Sequence, residues 1–188
     1  MVIDMTRHGG ATEIPVAECI DNRLSTWRVR TDIQPDYDED TKEQKGVTFI
    51  ETEFPYKPSM DEVKDFVLGV INAQTDEKIL TGYTWKVLHG EDAGKIANVW
   101  LSAENKENYK AKYDTAQDAP ELIKWPSKFK VSENEDKTPV YEYFADVTEL
   151  KAFYYGGLNF IEQTVNEGWA IKDNIDWTPY EEALNPAE

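Results

Sequence analysis

The sequence predicts an α+β fold: an N-terminal β-rich segment, a connecting helix, then a ββαββα C-terminal unit with helices packed on an antiparallel sheet. Three observations predict it. Apolar and polar residues alternate in short runs before residue 55 and again in four runs between residues 83 and 144, the period of half-buried strands. Apolar residues recur at spacings of three and four after Ser59 and after Asp146, the period of one helix face. Each helical pattern opens with a capping box, Ser59-Met-Asp-Glu62 and Asp146-Val-Thr-Glu149. In such a box the first side chain accepts from the amide three residues on and the Glu reaches back.

The N-terminal β-rich region covers residues 1–57. Ile14, Val16 and Ile20 recur on even positions, and Trp27 and Val29 alternate with Arg28 and Arg30. Pro15 cannot donate to a ladder and marks an edge. The run Asp36–Lys45 is too charged for a core and is expected as an exposed loop. Val47–Phe54 is the next strand, ended by Pro55 and Pro58. The connecting helix covers 58–78, with Met60, Val63, Phe66, Val67, Val70 and Ile71 as its stripe and an end near Gln74.

The C-terminal α+β domain covers 79–178. Tyr83, Trp85 and Val87 alternate with polar residues, and Ile96–Leu101 returns after a loop holding His89, Gly90 and Gly94: a hairpin with a long tip. Ser102 caps a polar helix running to about Gln117, with Tyr109, Tyr113 and Ala116 inward. Phe129 and Val131 begin a second hairpin, Glu133–Asp136 turns it, and Val140–Phe144 closes it. The last long helix carries Leu150, Phe153, Tyr154, Leu158, Ile161, Val165 and Trp169 on one stripe, with Gly168 as its stop. Gly156-Gly157 lies inside that helix, where each glycine costs about 1 kcal/mol relative to alanine. The pair predicts close packing of another backbone, with a bend in the helix as the alternative. Residues 179–188 form an acidic tail, and Trp177 and Tyr180 give the end of the chain something to bury, so it is expected to drape over the domain.

The chain has 188 residues, of which 37 are acidic and 20 basic, a net charge of −17. That charge repels phosphate backbones and anionic lipid, so nucleic-acid and membrane-surface functions are disfavoured. No apolar run approaches the roughly 20 residues of a membrane span. Asp4 and Arg7 interrupt the start, which lacks the pattern of a secretory leader, and synthesis for the cytosol is expected. Six Trp and 12% aromatic residues argue for a packed core rather than disorder. The single cysteine, Cys19, allows no intramolecular disulfide, and two histidines cannot fill a zinc site without carboxylates.

No nucleophile elbow, zincin or phosphate-loop motif occurs around His8, His89 or elsewhere, so no catalytic residue and no cofactor are assigned. His89 lies beside Glu91 and Asp92 in the hairpin tip, the surroundings of a supported base or of an ordinary turn. Asp36, Asp38 and Asp40 begin as an EF-hand loop does, but Thr41 and Val47 stand where glycine and the bidentate Glu belong. A weaker calcium site and a solvated acidic loop remain the alternatives. Trp27, Trp85 and Trp169 fall on apolar faces and are assigned to the core. Trp125 in a connector, and Trp177 and Tyr180 near the chain end, are the candidates for a protein interface, with little effect on melting expected from Trp125→Ala or Trp177→Ala.

The segments Ile79-Leu-Thr-Gly-Tyr-Thr-Trp85, Val99-Trp-Leu-Ser-Ala-Glu-Asn105 and Asn108-Tyr-Lys-Ala-Lys-Tyr-Asp114, with Phe129-Lys-Val, Pro139–Phe144, Leu150–Tyr154 and Asn166-Glu-Gly-Trp169 to Trp177, resemble a family of small phage and prophage tail-region proteins. The resemblance covers about residues 79–177. Two departures are the longer tip from His89 to Lys95 and the Gly156-Gly157 pair. The resemblance implies a non-enzymatic virion tail or tail-fibre component, or a tail-fibre assembly factor. It would be made in a bacterial host cytoplasm, and its partners would be other tail or tail-fibre proteins or further copies of itself. The alternative is a surface-ligand module binding glycan or calcium through the acidic loop and loop aromatics.

Overall fold

The computed structural model describes residues 6–186. Residues 1–5, which hold most of the start expected to lack a leader pattern, and the last two residues of the acidic tail lie outside the described residues. The fold is α+β. In chain order it runs β1 (Thr6–Gly9), β2 (Ala17–Asp21), β3 (Thr26–Tyr37), β4 (Gln44–Phe54), α1 (Met60–Thr81), β5 (Tyr83–Lys86), β6 (Ile96–Val99), α2 (Ala103–Asp118), a 3-10 turn at Pro120–Leu122, β7 (Ser127–Glu133), β8 (Pro139–Phe144), α3 (Val147–Asp173) and α4 (Thr178–Leu184). Two compact units result. One takes the described residues up to Asn72 and those from Ile171 on; the other is Ala73–Ala170.

The first unit is built on an antiparallel sheet of order β1-β4-β3-β2. Val29 on β3 pairs with Ala17 on β2 and with Thr52 on β4. Val29 and Ala17 are buried with Val63, Val67 and Ile71 of α1, the stripe expected from the spacing. The strands of the β3–β4 hairpin run further than expected: Asp36 pairs with Gly46 and Tyr37 with Gln44. The acidic loop therefore shrinks to a turn at residues 38–43. The helix starts as its capping box requires, the Ser59 amide donating to Glu62 Oε2 at 2.8 Å and the Glu62 amide to Ser59 Oγ at 3.3 Å.

The chain end closes this unit. Tyr180 is only 6% exposed, and its hydroxyl donates to the Arg30 carbonyl at 2.9 Å. Leu184 is buried beside it, and half-buried Trp177 packs on the same cluster, with Lys64 Nζ 5.8 Å from its ring centre. Tyr180, expected at an interface with another polypeptide, is thus buried within the chain, while Trp177 stays half-buried at its side. The reason is amphipathy: Thr178–Leu184 forms a short helix whose large residues Tyr180 and Leu184 pack with Ala17 and Val29 of the sheet.

The second unit contains the expected ββαββα order. Its strands form two separate antiparallel ladders, β5-β6 and β7-β8. Ser102 caps α2 by accepting from the Asn105 amide at 3.2 Å, and Asp146 Oδ1 accepts the Thr148 and Glu149 amides at the start of α3. The core is aromatic. Phe153 lies 5.2 Å from Trp85, 5.0 Å from Tyr109 and 5.2 Å from Phe144, ring centre to ring centre, in edge or tilted geometry.

Helix α3 follows the expected stripe in part: Leu150 and Phe153 are buried and Tyr154 and Ile161 pack against the core, but Leu158 and Trp169 do not turn inward. Its buried residues are Leu150, Phe153, Gly157, Thr164 and Gly168, whereas Leu158 is exposed and Trp169 is 58% exposed. Gly168 faces inward where α1 passes close: a Cβ there would lie 2.6 Å from Thr75 Oγ1. Gly168 is therefore an interior contact, and the helix continues to Asp173. Gly156-Gly157 does mark a close approach, made by the Tyr83 side chain and not by a backbone. Tyr83 Oη sits against Gly156 and donates to the Phe153 carbonyl at 3.0 Å.

The two adjacent glycines predict opposite outcomes. A Cβ at Gly156 collides with Tyr83 Oη, so Gly156→Ala is expected to destabilise by about 1–3 kcal/mol. At Gly157 the nearest atoms would be 3.6 and 3.8 Å away, ordinary contact. Gly157→Ala is expected to be neutral or to stabilise by up to about 1 kcal/mol. Urea unfolding of the two variants checks both signs.

Candidate functional site

Glu142 is the organising residue of the second unit's most structured surface feature. It lies on β8 between Val140 and Phe144, on the inward face, and is 0% exposed. A carboxylate there needs donors, because an uncompensated buried charge costs several kcal/mol. It has four, all uncharged N–H groups. Oε2 accepts from the Trp85 indole at 2.8 Å and the Leu88 amide at 2.6 Å; Oε1 accepts from the His89 amide at 3.0 Å and the Tyr143 amide at 2.9 Å.

Those bonds tie the base of the β5–β6 tip to β8. The tip then closes on itself, the Val87 amide donating to the Lys95 carbonyl at 2.9 Å and the Gly94 amide to the Val87 carbonyl at 2.8 Å. Gly90 has φ of +89° and lies on the Tyr143 ring, where a Cβ would come within 2.8 Å of Cδ2. Both the turn and the close approach require glycine there.

With its amide fixed, His89 places its imidazole over the start of α3. Nε2 lies 2.9 and 3.0 Å from the two Glu149 oxygens, and Glu149 Oε2 also accepts the Ala145 amide at 2.7 Å. The bond to Glu149 raises the His89 pKa above its ordinary 6.5; desolvation opposes this, and the charges of Glu149 and Glu142 add to the rise. Beside this pair opens a cleft of about 510 Å³, walled by His89, Gly90, Trp125, Pro126 and Tyr143.

Among the described residues the imidazole's hydrogen-bond partners are the two Glu149 oxygens, so no hydroxyl or thiol is activated by it. The cleft is walled by the Trp125 indole, the Tyr143 phenol ring and the His89 imidazole, the last on the loop tied down by Glu142.

Of the residues singled out in the sequence, Trp125 lines this cleft while packing against the aromatic core. Trp177 and Tyr180 belong to the first unit. His8 is also there, its Nδ1 3.5 Å from Asp36. Asp36, Asp38 and Asp40 are not gathered as ligands: among the described residues no group of three or more His, Cys, Asp or Glu side chains is placed to hold a metal ion. Asp38 Oδ1 instead accepts the Asp40 amide at 3.0 Å and the Thr41 amide at 2.8 Å, which holds its carboxyl below the usual range, the Thr41 amide contributing most. Asp36 sits in β3 facing Lys45, with Nζ 3.6 Å away. The Asp38 carboxylate here builds the turn. Glu142, Tyr143 and Glu149 were not assigned from sequence. Strand alternation carries the signal for the first, since it shares a face with Val140 and Phe144.

Replacing Glu142 by Gln turns an amide NH2 toward N–H groups and leaves at least one donor unmet. Glu142→Gln is expected to cost about 3 kcal/mol in urea unfolding. For His89 the sign follows from the raised pKa. Its pairing with Glu149 contributes fully below the unfolded value and is lost as pH rises through the folded one. The melting temperature of the natural chain should exceed that of His89→Gln by more at about pH 6 than at about pH 8.5.

No helix among the described residues is long and apolar enough to cross a membrane. No protein-family model matches this chain, and no curated protein or solved structure does so either.

Proposed function

We propose that this chain is a non-enzymatic phage tail-region protein that works by protein–protein contact, as a tail or tail-fibre component or as an assembly factor for a fibre. The observation that carries the reading is the cleft at the second unit's tip, where Trp125 and Tyr143 stand beside His89, whose loop is pinned by buried Glu142. A preorganised aromatic wall loses little entropy on docking, and buried Trp and Tyr dominate the energy of most protein interfaces. The resemblance over residues 79–177 supplies the biological setting and covers the segment that builds this cleft. The partner is then another tail or tail-fibre protein, or a further copy, met in a bacterial cytoplasm during particle assembly. The surface charge of −17 suits a protein partner and opposes nucleic acid.

The test has two arms. Mass spectrometry of washed particles, together with co-elution of the purified chain with tail proteins encoded beside its gene, should find a tail-protein complex. Trp125→Ala should weaken that complex by about thirtyfold, the cost of losing a central aromatic anchor, when measured well below both melting temperatures. Absence from particles, no bound tail protein, and full infectivity after gene deletion would together defeat the reading.

A further inference from the structure

A second cleft, of about 460 Å³, opens in the second unit where β6 and β7 run side by side in separate ladders. Its one exposed large apolar side chain is Trp100, and around the indole stand Asn98, Asn105, Ser132 and the Lys130–Glu133 ion pair. Strand alternation puts the indole there. Ala97, Val99 and Leu101 are buried, so Asn98 and Trp100 point the other way, and Trp100 is 57% exposed.

The platform is carried on a fixed backbone. The Trp100 carbonyl accepts from Asn105 Nδ2 at 2.8 Å, the Leu101 amide donates to the Leu80 carbonyl at 3.0 Å, and Ser102 caps α2 directly afterwards. An indole held this way offers its flat face at little cost in entropy.

The rim selects the ligand. Asn98 is exposed, Asn105 keeps its side-chain oxygen as an acceptor once Nδ2 is committed, and the Ser132 hydroxyl has only a long bond of 3.5 Å to the Glu133 carbonyl. These groups are neutral, and together they donate and accept. Lys130 and Glu133 neutralise each other, so an ion of either sign finds no free countercharge in the cleft. A wholly apolar ligand would cover the amides without bonding them, which costs free energy. A pyranose ring meets both demands, with a C–H face for the indole and an edge of hydroxyls for the rim.

We infer that this cleft binds a neutral saccharide, one pyranose stacked on Trp100 with its hydroxyls bonded by Asn98, Asn105 and Ser132. The site is separate from the tip cleft, and the inference holds whether or not that cleft meets a tail protein.

The probes are maltotriose, cellotriose and tri-N-acetylchitotriose, titrated into the full chain while the indole N–H resonance of Trp100 and the side-chain amide resonances of Asn98 and Asn105 are followed. At least one trisaccharide should saturate these resonances with a Kd of about 1 mM. Cyclohexanol, which has an apolar ring and a single hydroxyl, should not. Trp100→Ala should weaken binding by about tenfold and Asn98→Ala by about threefold. Both side chains are exposed, so the melting temperature should stay nearly unchanged in each variant. The inference is overturned if none of the three trisaccharides saturates the resonances, if cyclohexanol binds as tightly, or if Trp100→Ala binds as the natural chain does. Shifts that follow protein concentration and ignore sugar would assign the face to a contact between copies and overturn it as well. Should Trp100→Ala fail to fold, Asn98→Ala decides.

Discussion

A carboxylate with no access to water sits in the core of the second unit, and much of that unit is arranged to satisfy it. Removing Glu142 from solvent carries a desolvation cost that only well-aimed donors offset. Three backbone amides and one indole supply them. Because two of those amides belong to Leu88 and His89, the requirement reaches outward from core to surface. It fixes the base of the tip and places His89 over Glu149. Glu149 in turn closes the start of α3 by accepting the Ala145 amide. A surface loop with glycines at positions 90 and 94 would otherwise sample many conformations. Here it is held as a wall.

The same unit depends on what α3 leaves out. Gly157, Thr164 and Gly168 on the buried face let Tyr83 and Thr75 approach the helix closely. Helix propensity is sacrificed there for contact, and Phe153, Tyr109 and Phe144 supply the compensating apolar area around it. The large residues of the chain's second half are therefore divided. Some fill the aromatic core, and others, such as Trp100 and Trp169, remain outside. In the first unit the division is made by α4, whose Tyr180 and Leu184 cover the sheet beside α1.

Much of this was legible from residues alone. The two capping boxes locate helix starts because their chemistry is local, and the stripe of α1 was assigned correctly because Val63, Val67 and Ile71 are both apolar and aligned. The stripe of α3 holds for Leu150, Phe153, Tyr154 and Ile161 but not for Leu158 and Trp169, since period identifies a face without saying what packs on it. Leu158 and Trp169 have the right spacing, yet the smaller residues one position away face the neighbours, Gly157 against Tyr83 and Leu101 and Gly168 against Thr75 of α1. Long-range contacts also decided the fate of Tyr180, which no local pattern links to the Arg30 carbonyl. The acidic loop was overestimated because a charged sequence can still extend a hairpin when its edge faces water. The tip site stayed hidden for a related reason: an acidic residue among 37 attracts no notice until alternation places it between Val140 and Phe144.

The account rests on the buried carboxylate holding the tip as firmly as the core holds itself, and native-state hydrogen exchange measures that directly. If it does, the amides of Leu88, His89 and Tyr143 open with the free energy of global unfolding, alongside Val99 and Leu150, and lose that protection in Glu142→Gln. Exchange of the three amides at the rate of exposed tip residues such as Glu91 in the natural chain would contradict it.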